Sequence, residues 1–412
     1  MLNSPLARAT VKTSFVLGLR LLVQGGTLLL VARMLGPGQF GIYAGITALA
    51  VLMGSFSNFG TQLVLLGEVS KGEVRRDQVL SYAVPTTLVS GSVLFLFYLL
   101  LCLFLFESGA LSLQVLVCIG FAEIIILPLF LLPATEKLAL GKTAYSQLLL
   151  VLPLSLRTLA AGVVLIAGTS HPLITFSWLY LATAILALGF IKLTDSDAWL
   201  APGRWRLARI QELKHSAGYA VLSLTALGPN ELDKMLAVKL LPLGASGLYA
   251  AASRVVGAVT LPVIALVLSA LPRLFRENTS SSLQSRRLNH WVLGSVFVYS
   301  VVLAGGVWVF APLIQRLFGD AYTGMEYFLT WLCIAVPGMS LRIGTASILM
   351  AMGRPWQRAS LELFGMVSLV FSALIFFPAY GPIGMACALA VSEWGMFIVG
   401  YILIEVAQDR LK

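Results

Sequence analysis

Long apolar runs separated by short polar breaks follow one another along this chain. Runs such as 88–106 and 294–310 have about the 18 apolar residues that a helix needs to cross a bilayer. No segment alternates as a strand would, and a helix satisfies its own backbone hydrogen bonds. Apolar length gives six spans, a polar break and six more spans, near 14–32, 41–66, 79–106, 111–133, 143–167 and 173–193, then 216–238, 247–272, 289–314, 324–352, 356–378 and 383–405. The predicted fold class is all-α, a polytopic membrane protein with about 12 transmembrane helices.

Composition and charge exclude a soluble protein and a nucleic-acid partner. Apolar residues make up 58% of the chain, charged residues 11%, and the mean hydropathy is +0.92, whereas soluble chains have about 25% charged residues. The net charge of +10 comes from Lys and Arg concentrated in alternate connections, and the opposite side has only Arg33, Lys239 and Arg316. Cationic loops resist translocation, so the rich side and both termini are predicted to be cytoplasmic. The cysteines lie in apolar stretches without ligand spacing, which predicts no metal site.

The chain also contains an internal repeat. Ala32–Ala44 reads ARMLGPGQFGIYA, and half a chain later Val238–Ala250 reads VKLLPLGASGLYA. A second echo pairs Ala139–Lys142, ALGK, with Ala351–Arg354, AMGR. Such a period indicates a duplicated unit, and an even number of spans per copy predicts two parallel six-helix lobes around a central cavity. The predicted parts are an N-terminal lobe at 1–193, a cytoplasmic amphipathic linker at 194–214 and a C-terminal lobe at 215–412.

The linker has two interpretations. Leu207, Ile210 and Leu213 recur every three residues among basic positions, which is typical of a helix lying on an anionic membrane surface. The plainer interpretation is a tether between the two halves.

Cations inside the predicted spans are the candidate binding residues. A charge at the centre of a bilayer costs a few kcal/mol, so such residues are expected to face a wet interior. Arginine suits an anionic ligand, because its planar fork donates two hydrogen bonds to a pair of phosphate oxygens. The residues predicted to form this cationic cavity are Arg20, Arg157, Lys234, Arg254 and Arg342.

Three of these cations also have an alternative interpretation, and further candidate residues accompany the set. Arg20 lies near the cytoplasmic end of its span, where a side chain can extend to the surface, and Arg157 can pair with Glu123. Asp233 and Lys234 can instead neutralise each other within the seventh span. The candidates for gating or for coupling to H⁺ or Na⁺ are Glu123, Asp233 and Glu393, and the candidates for the outer rim are Arg33 and Lys239. No resident cofactor is predicted.

Motifs at the start of each half resemble those of a known family. The first half has a basic residue, a Leu-Gly-Pro turn, a Gly-x-Tyr and an Asn-Phe-Gly, which are Arg33, Leu35-Gly36-Pro37, Gly41-Ile42-Tyr43 and Asn58-Phe59-Gly60. The second half has Asp233-Lys234, then Gly247-Leu248-Tyr249-Ala250-Ala251-Ala252. Over nearly its whole length the chain resembles the Wzx-type polysaccharide-biosynthesis or O-antigen flippases of the multidrug/oligosaccharidyl-lipid/polysaccharide exporter superfamily.

The resemblance implies a transporter rather than an enzyme. Similar proteins move undecaprenyl-diphosphate-linked oligosaccharide, an O-antigen, capsule or exopolysaccharide repeat unit, from the inner to the outer leaflet of the bacterial inner membrane by alternating access. It implies membrane lipids, a polysaccharide polymerase and glycosyltransferases as partners. One rival is a small-molecule or drug exporter of the same superfamily, which would favour acidic cavity residues. Another is a membrane-embedded glycosyltransferase or polymerase, but the predicted outer connections are short and hold no nucleophile-and-base set.

Overall fold

The computed structural model describes residues 5–71, 76–105, 112–194, 199, 201–277 and 283–409. Within these ranges the chain forms helices and no strand, which confirms the all-α prediction. The helices are α1 Pro5–Ser57, α2 Thr61–Lys71, α3 Arg76–Leu105, α4 Leu113–Phe121, α5 Leu127–Ala139, α6 Thr143–Ala167, α7 Pro172–Thr194, α8 Ile210–Leu240, α9 Leu243–Val259, α10 Leu261–Glu277, α11 Leu283–Phe318, α12 Met325–Leu332, α13 Ala335–Ala351, α14 Pro355–Tyr380 and α15 Ile383–Asp409. The extreme termini, predicted to be cytoplasmic, lie outside these ranges.

The length and apolar composition of the helices identify a polytopic integral membrane protein. In the described ranges, fewer helices could cross a membrane than the twelve spans that the sequence predicts. In the described ranges, nine helices are long and apolar enough to cross a membrane, and α12 with α13, bent by 45°, makes up to ten. Two other differences between the predicted spans and these helices have separate reasons. The span near 14–32 and most of the span near 41–66 fall in the single helix α1, and the last residues of the second span fall in α2. The span near 216–238 falls in α8, whose buried face carries charged residues that lower its hydropathy.

The first repeated motif interrupts helix α1. Gly36 has φ 67° and ψ 168°, outside the helical region, so α1 consists of two helical segments that meet there. Only glycine adopts such a backbone at little cost, because it lacks a Cβ. The equivalent position in the second motif is Pro242, which separates α8 from α9. The helix is therefore interrupted at the same position in both copies of the motif, by a glycine in the first copy and by a proline in the second.

Contacts divide the chain into two compact units. Unit 1 contains the chain up to Leu35 together with Ile46–Leu224, and unit 2 contains Gly36–Gly45 and the chain from Thr225 onward. The units differ from the predicted lobes at the first motif, whose residues from Gly36 onward belong to unit 2. There a Cβ on Gly247 would collide with the backbone of Pro37. The two copies of the motif thus pack directly on each other, and glycine permits the close approach.

Unit 1 encloses a π-helical turn. This turn, Ala122–Ile126, lies between α4 and α5 and is buried throughout. A Cβ on Gly54 of α1 would meet the Glu123 carbonyl oxygen, and the hydroxyl of Ser57 donates to the Ile124 carbonyl. A π-turn shifts carbonyl groups out of the regular helical ladder, and small neighbours make room for them. This packing holds the Glu123 side chain at a defined place in the unit interior.

Of the three apolar positions that predict a surface helix in the linker, Ile210 and Leu213 lie in α8, and only Leu207 precedes it. A 3₁₀ turn covers Pro202–Arg204, and the residues after it lack helical structure until α8 begins at Ile210. The Arg206 amide donates to the Ser81 carbonyl of α3 at 2.9 Å. The helix predicted from the three-residue spacing is therefore wrong before Ile210, because a contact with α3 uses the backbone of Arg206.

The second echo has the same geometry in both units. Helix α5 ends at Ala139 and is followed by Gly141 at φ 75°, and α13 ends at Ala351 and is followed by Gly353 at φ 71°. In each case the backbone N–H of the glycine donates a hydrogen bond to the carbonyl oxygen three residues earlier, with an N···O distance of 3.0 Å. A left-handed glycine is a common helix terminator, so each copy ends its helix in the same way.

Candidate functional site

A buried ion pair lies on one face of α8 in unit 2. The Lys234 ammonium donates to Asp233 Oδ1 at 3.1 Å and lies 3.8 Å from Glu231 Oε2. It also donates to the main-chain carbonyl of Asn230, one turn earlier. Asp233 is 2% exposed and Lys234 is 6% exposed. The predicted neutralisation of Asp233 by Lys234 within this helix is therefore present.

A second buried ion pair joins α13 to α15 in the same unit. Arg342 Nε donates to Glu393 Oε2 at 2.6 Å, and Arg342 Nη2 donates to Asn230 Oδ1 at 3.0 Å. Arg342 is 3% exposed and Glu393 is 1% exposed. Asn230 thus accepts from Arg342 with its side chain and from Lys234 with its main chain. Glu393 has no partner within its own helix, and its partner comes from α13.

Helix α9 completes the coordination of Asp233. The Ser253 hydroxyl donates to Asp233 Oδ2 at 2.6 Å, and the Tyr249 hydroxyl lies 3.4 Å from the same oxygen. Tyr249 and Ser253 are four residues apart, so they face the same side of α9. In Glu393, by contrast, Oε1 is buried and has no hydrogen-bond partner in the described ranges. Both carboxylate oxygens of Asp233 therefore accept hydrogen bonds, whereas Oε1 of Glu393 accepts none in the described ranges.

Each cation of this network lies beside at least one carboxylate. Two cations, Lys234 and Arg342, lie with Asp233 and Glu393 and share Asn230. Removing one member of a buried pair leaves an unpaired charge, which costs about 3–5 kcal/mol. A proton or a cation on a carboxylate would free the opposite cation, so the arrangement links ion binding to the availability of a positive charge.

Arg254 is the exception among the predicted cavity cations in unit 2. It lies on α9 directly after Ser253, half-buried, and its Nε is buried without a hydrogen-bond partner. No carboxylate pairs with Arg254 in the described ranges. Its charge is therefore available to a ligand.

The cations predicted in the first half lie in unit 1 with two different kinds of partner. Arg157 Nη2 donates to Glu123 Oε1 at 2.9 Å, which confirms the predicted pairing. The Arg157 guanidinium lies 3.8 Å from the centroid of the Tyr180 ring, and the Tyr180 hydroxyl donates to Glu123. Arg20 instead donates to the neutral Gln147 Oε1 at 3.0 Å.

The structure thus assembles part of the predicted site. Arg342, Lys234, Asp233 and Glu393 come together, whereas Arg254 stands beside them without a carboxylate. Arg20 and Arg157 each have a partner in unit 1, and the two candidates for the outer rim, Arg33 and Lys239, are exposed. Sequence reasoning missed Ser253, Tyr180 and Gln147 as partners. The four-residue spacing of Tyr249 and Ser253 is the one signal that points to such a role.

Comparison with known proteins identifies the fold. No known protein-family profile and no curated protein sequence matches the chain. An inward-facing multidrug resistance MATE family transporter of the MOP superfamily superposes with a TM-score of 0.71 at 15% identity, covering 95% of each chain. The lipid II flippase MurJ, in an inward closed conformation, superposes with a TM-score of 0.71 at 14% identity, covering 98% of this chain and 89% of its own.

The chain has the fold of these transporters. An outward-facing MATE transporter superposes less closely, with a TM-score of 0.62 at 15% identity, covering 100% of this chain and 97% of its own. The shared fold agrees with the coarser part of the sequence resemblance, a polytopic transporter architecture.

Proposed function

We propose that this protein is a flippase that moves an undecaprenyl-diphosphate-linked oligosaccharide from the inner to the outer leaflet of the bacterial inner membrane. Supporting this proposal are the fold shared with the lipid II flippase MurJ and the motifs of the Wzx-type flippases. Alternating access is the transport mechanism that we propose. The proposal places both termini in the cytoplasm and makes the polymerase and glycosyltransferases of polysaccharide assembly its functional partners.

The observation that carries the proposal is the uncompensated charge of Arg254. A diphosphate supplies the negative charge that the neighbouring carboxylates do not supply, since those carboxylates are engaged by Lys234 and Arg342. A guanidinium donates paired, charge-assisted hydrogen bonds to phosphate oxygens. Arg20, whose partner Gln147 is neutral, is a second cation suited to an anionic ligand. A cationic drug would be repelled by both residues.

The same network suggests how transport is coupled to an ion gradient. Protonation or Na⁺ binding at Glu393 weakens its hold on Arg342, and the freed guanidinium then attracts the diphosphate. Release of the ion restores the pair and expels the anion. Asp233 and Lys234 undergo the same exchange in this scheme, whereas the Arg157–Glu123 pair of unit 1 holds its helices together.

Transport by the purified protein tests the proposal. In proteoliposomes containing a lipid-linked oligosaccharide, Arg254→Gln is expected to slow translocation roughly 10- to 100-fold, because a hydrogen bond to a charged group contributes about 1.5–3 kcal/mol. Arg316→Gln is the matched control, since it removes an exposed arginine at the end of α11. Equal rates in the two variants, or no translocation by the unmodified protein, would reject the proposal.

A second candidate function is export of cationic small molecules. The MATE transporters have the same fold, and two buried carboxylate oxygens in unit 2, Glu393 Oε1 and Glu362 Oε2, have no hydrogen-bond partner in the described ranges. Such oxygens suit a cationic substrate. Efflux of ethidium from cells, lost in Glu393→Gln and retained in Arg254→Gln, would favour this function over the flippase.

A further inference from the structure

A polar pocket lies at the start of helix α3 in unit 1. Its volume is 470 Å³, and most of the residues that line it are polar or charged. Helix α2 contributes Glu68, and α3 contributes Gln78 and Tyr82. The opposite wall comes from the end of the linker and the first turns of α8, between Arg206 and His215.

An ion pair holds the linker wall of this pocket in place. The Arg206 guanidinium donates to both carboxylate oxygens of Glu212, at 2.8 and 2.6 Å, and lies 5.1 Å from the centroid of the Tyr82 ring. Glu212 Oε2 also accepts from the backbone amide of Arg209 at 2.7 Å. These contacts engage the charge of Arg206 and both oxygens of Glu212. The pair therefore shapes the wall, and a ligand has to bind other groups.

The groups left for a ligand are mainly hydrogen-bond donors. The Arg209 side chain is exposed, and no carboxylate pairs with it in the part of the chain that the structure describes. Gln78 and His215 are also exposed on the lining, and neither side chain forms a hydrogen bond with another described residue. Glu68, the second carboxylate of the lining, has an interaction within the chain. A guanidinium with neighbouring neutral donors suits a phosphate group.

The pocket lies at the level of lipid headgroups. Helix α3 has 30 residues and is therefore about 45 Å long, which matches a bilayer together with its headgroup regions. Gln78 and Tyr82 lie in its first two turns, at one end of that length. On the facing wall Leu207 and Ile210, close to Arg209 in the sequence, are 74% and 66% exposed. Exposed apolar side chains beside basic ones are typical of a surface that enters the interface of an anionic membrane.

We propose that this pocket binds the headgroup of an anionic phospholipid of the phosphatidylglycerol type. The phosphate binds Arg209, with further hydrogen bonds from Gln78 and His215, and the glycerol and upper acyl chains lie against Leu207 and Ile210. A zwitterionic lipid has the same phosphate but adds a cationic group, which Arg209 repels. The site shares no residue with the ion network of unit 2, and it does not depend on the identity of the transported substrate.

Photolabelling of the full-length protein tests this site. The protein is reconstituted in phosphatidylcholine vesicles with a trace of phosphatidylglycerol that carries a diazirine near its glycerol, and labelled peptides are mapped by mass spectrometry. Labelling of residues 204–215 is expected to be about tenfold stronger than with the matching phosphatidylcholine probe. It should fall about tenfold in Arg209→Gln, which removes the charged donor, and about threefold in Gln78→Leu on the opposite wall.

The matched control is Arg287→Gln. It removes an exposed arginine near the start of α11, which lies in unit 2 and on the same predicted side of the membrane. Labelling of residues 204–215 should be unchanged in this variant. Equal unfolding temperatures establish that the three variants are folded.

Three results would overturn the inference. The first is equal labelling by the two probes, which would identify a general lipid-facing surface. The second is equal labelling of folded Arg209→Gln and Arg287→Gln. The third is competition by soluble glycerol 3-phosphate as effective as that by added unlabelled phosphatidylglycerol, which would identify a site for a soluble phosphate ester.

Discussion

The two units each bury ionised groups, but they arrange them differently. In unit 1 one of the buried carboxylates, Glu123, accepts from both the guanidinium of Arg157 and the hydroxyl of Tyr180, and the guanidinium lies over the tyrosine ring. In unit 2 two ion pairs come from separate helices, and Asn230 connects them. The first arrangement is a closed pair, and the second is a network in which one charge affects another.

This difference suggests different roles. A pair held by an aromatic ring and a π-turn has few alternative partners, so it serves packing. A network with a free carboxylate oxygen at Glu393 and an uncompensated neighbour, Arg254, can exchange partners when an ion or an anion enters. Buried ionised groups in membranes commonly mark transport pathways, and the network fits that pattern better. The following experiments test the contrast, from the largest expected effect to the smallest.

The largest effect is expected from Arg342→Met. This change leaves Glu393 buried without its cation, so the free energy of unfolding in detergent should fall by about 3–5 kcal/mol. The double variant Arg342→Met with Glu393→Leu should recover much of that loss, because no charge is left unpaired. If the double variant is as unstable as the sum of its single variants, the two residues do not form a pair.

A smaller effect is expected in unit 1 from Tyr180→Phe. The change removes the hydroxyl that donates to Glu123 and leaves the ring over Arg157. A hydrogen bond to a charged group contributes about 1.5–3 kcal/mol, which is the loss expected in thermal unfolding. Transport should persist once the protein is folded. Abolished transport with unchanged stability would show that the unit 1 pair is functional and would remove the contrast between the units.

Asn230→Ala should weaken the coupling between the two ion pairs of unit 2. A double-mutant cycle on Asp233→Asn and Glu393→Gln measures that coupling, which for residues in one network is about 0.5–3 kcal/mol. The interaction energy should shrink towards zero in the Asn230→Ala background. An unchanged value would mean that Asn230 does not connect the pairs.

The smallest effect concerns the segment before α8. Arg206 donates two hydrogen bonds to Glu212, at 2.8 and 2.6 Å, and this lowers the pKa of the Glu212 carboxyl. A lowered folded-state pKa stabilises the protein above the ordinary glutamate value, about 4.3, and that contribution is lost as pH falls through the folded pKa. Glu212→Gln should therefore lower stability by less than about 1 kcal/mol at pH 7. The deficit should disappear in acid, and a deficit independent of pH would contradict the ion-pair assignment.

The sequence predicted some pairs and missed others for a simple geometric reason. Arg358 and Glu362 have the i,i+4 spacing of a pair within one helix, and this pair is present at 3.1 Å. The pairing of Arg157 with Glu123 was also recognised, because the two residues lie in successive spans. The pairing of Glu393 with Arg342 is not predicted by spacing, because Arg342 comes from a different helix 51 residues away. Helical periodicity describes one helix and contains no information on which other helix packs against its face.

The linker also shows that a local sequence pattern contains no information on tertiary contacts. Its three-residue spacing predicted a surface helix, but the Arg206 amide bonds α3 and the Trp199 indole donates to the Leu129 carbonyl of α5. Tertiary hydrogen bonds therefore replaced the helical ones over part of the segment. The spacing of apolar residues within one segment does not show whether backbone groups elsewhere in the chain will accept its hydrogen bonds.

By itself the sequence determined the membrane class, the helical character of the chain and the repeated helix breaks at Gly36 and Pro242, because these depend on apolar length and local backbone preference. The tertiary structure alone decided which buried charges neutralise one another and which, like Arg254, are left for a ligand. It also placed the Gly36–Gly45 motif in the same unit as its copy. These outcomes depend on which helix faces pack together, and that choice is made by shape and charge across the whole fold.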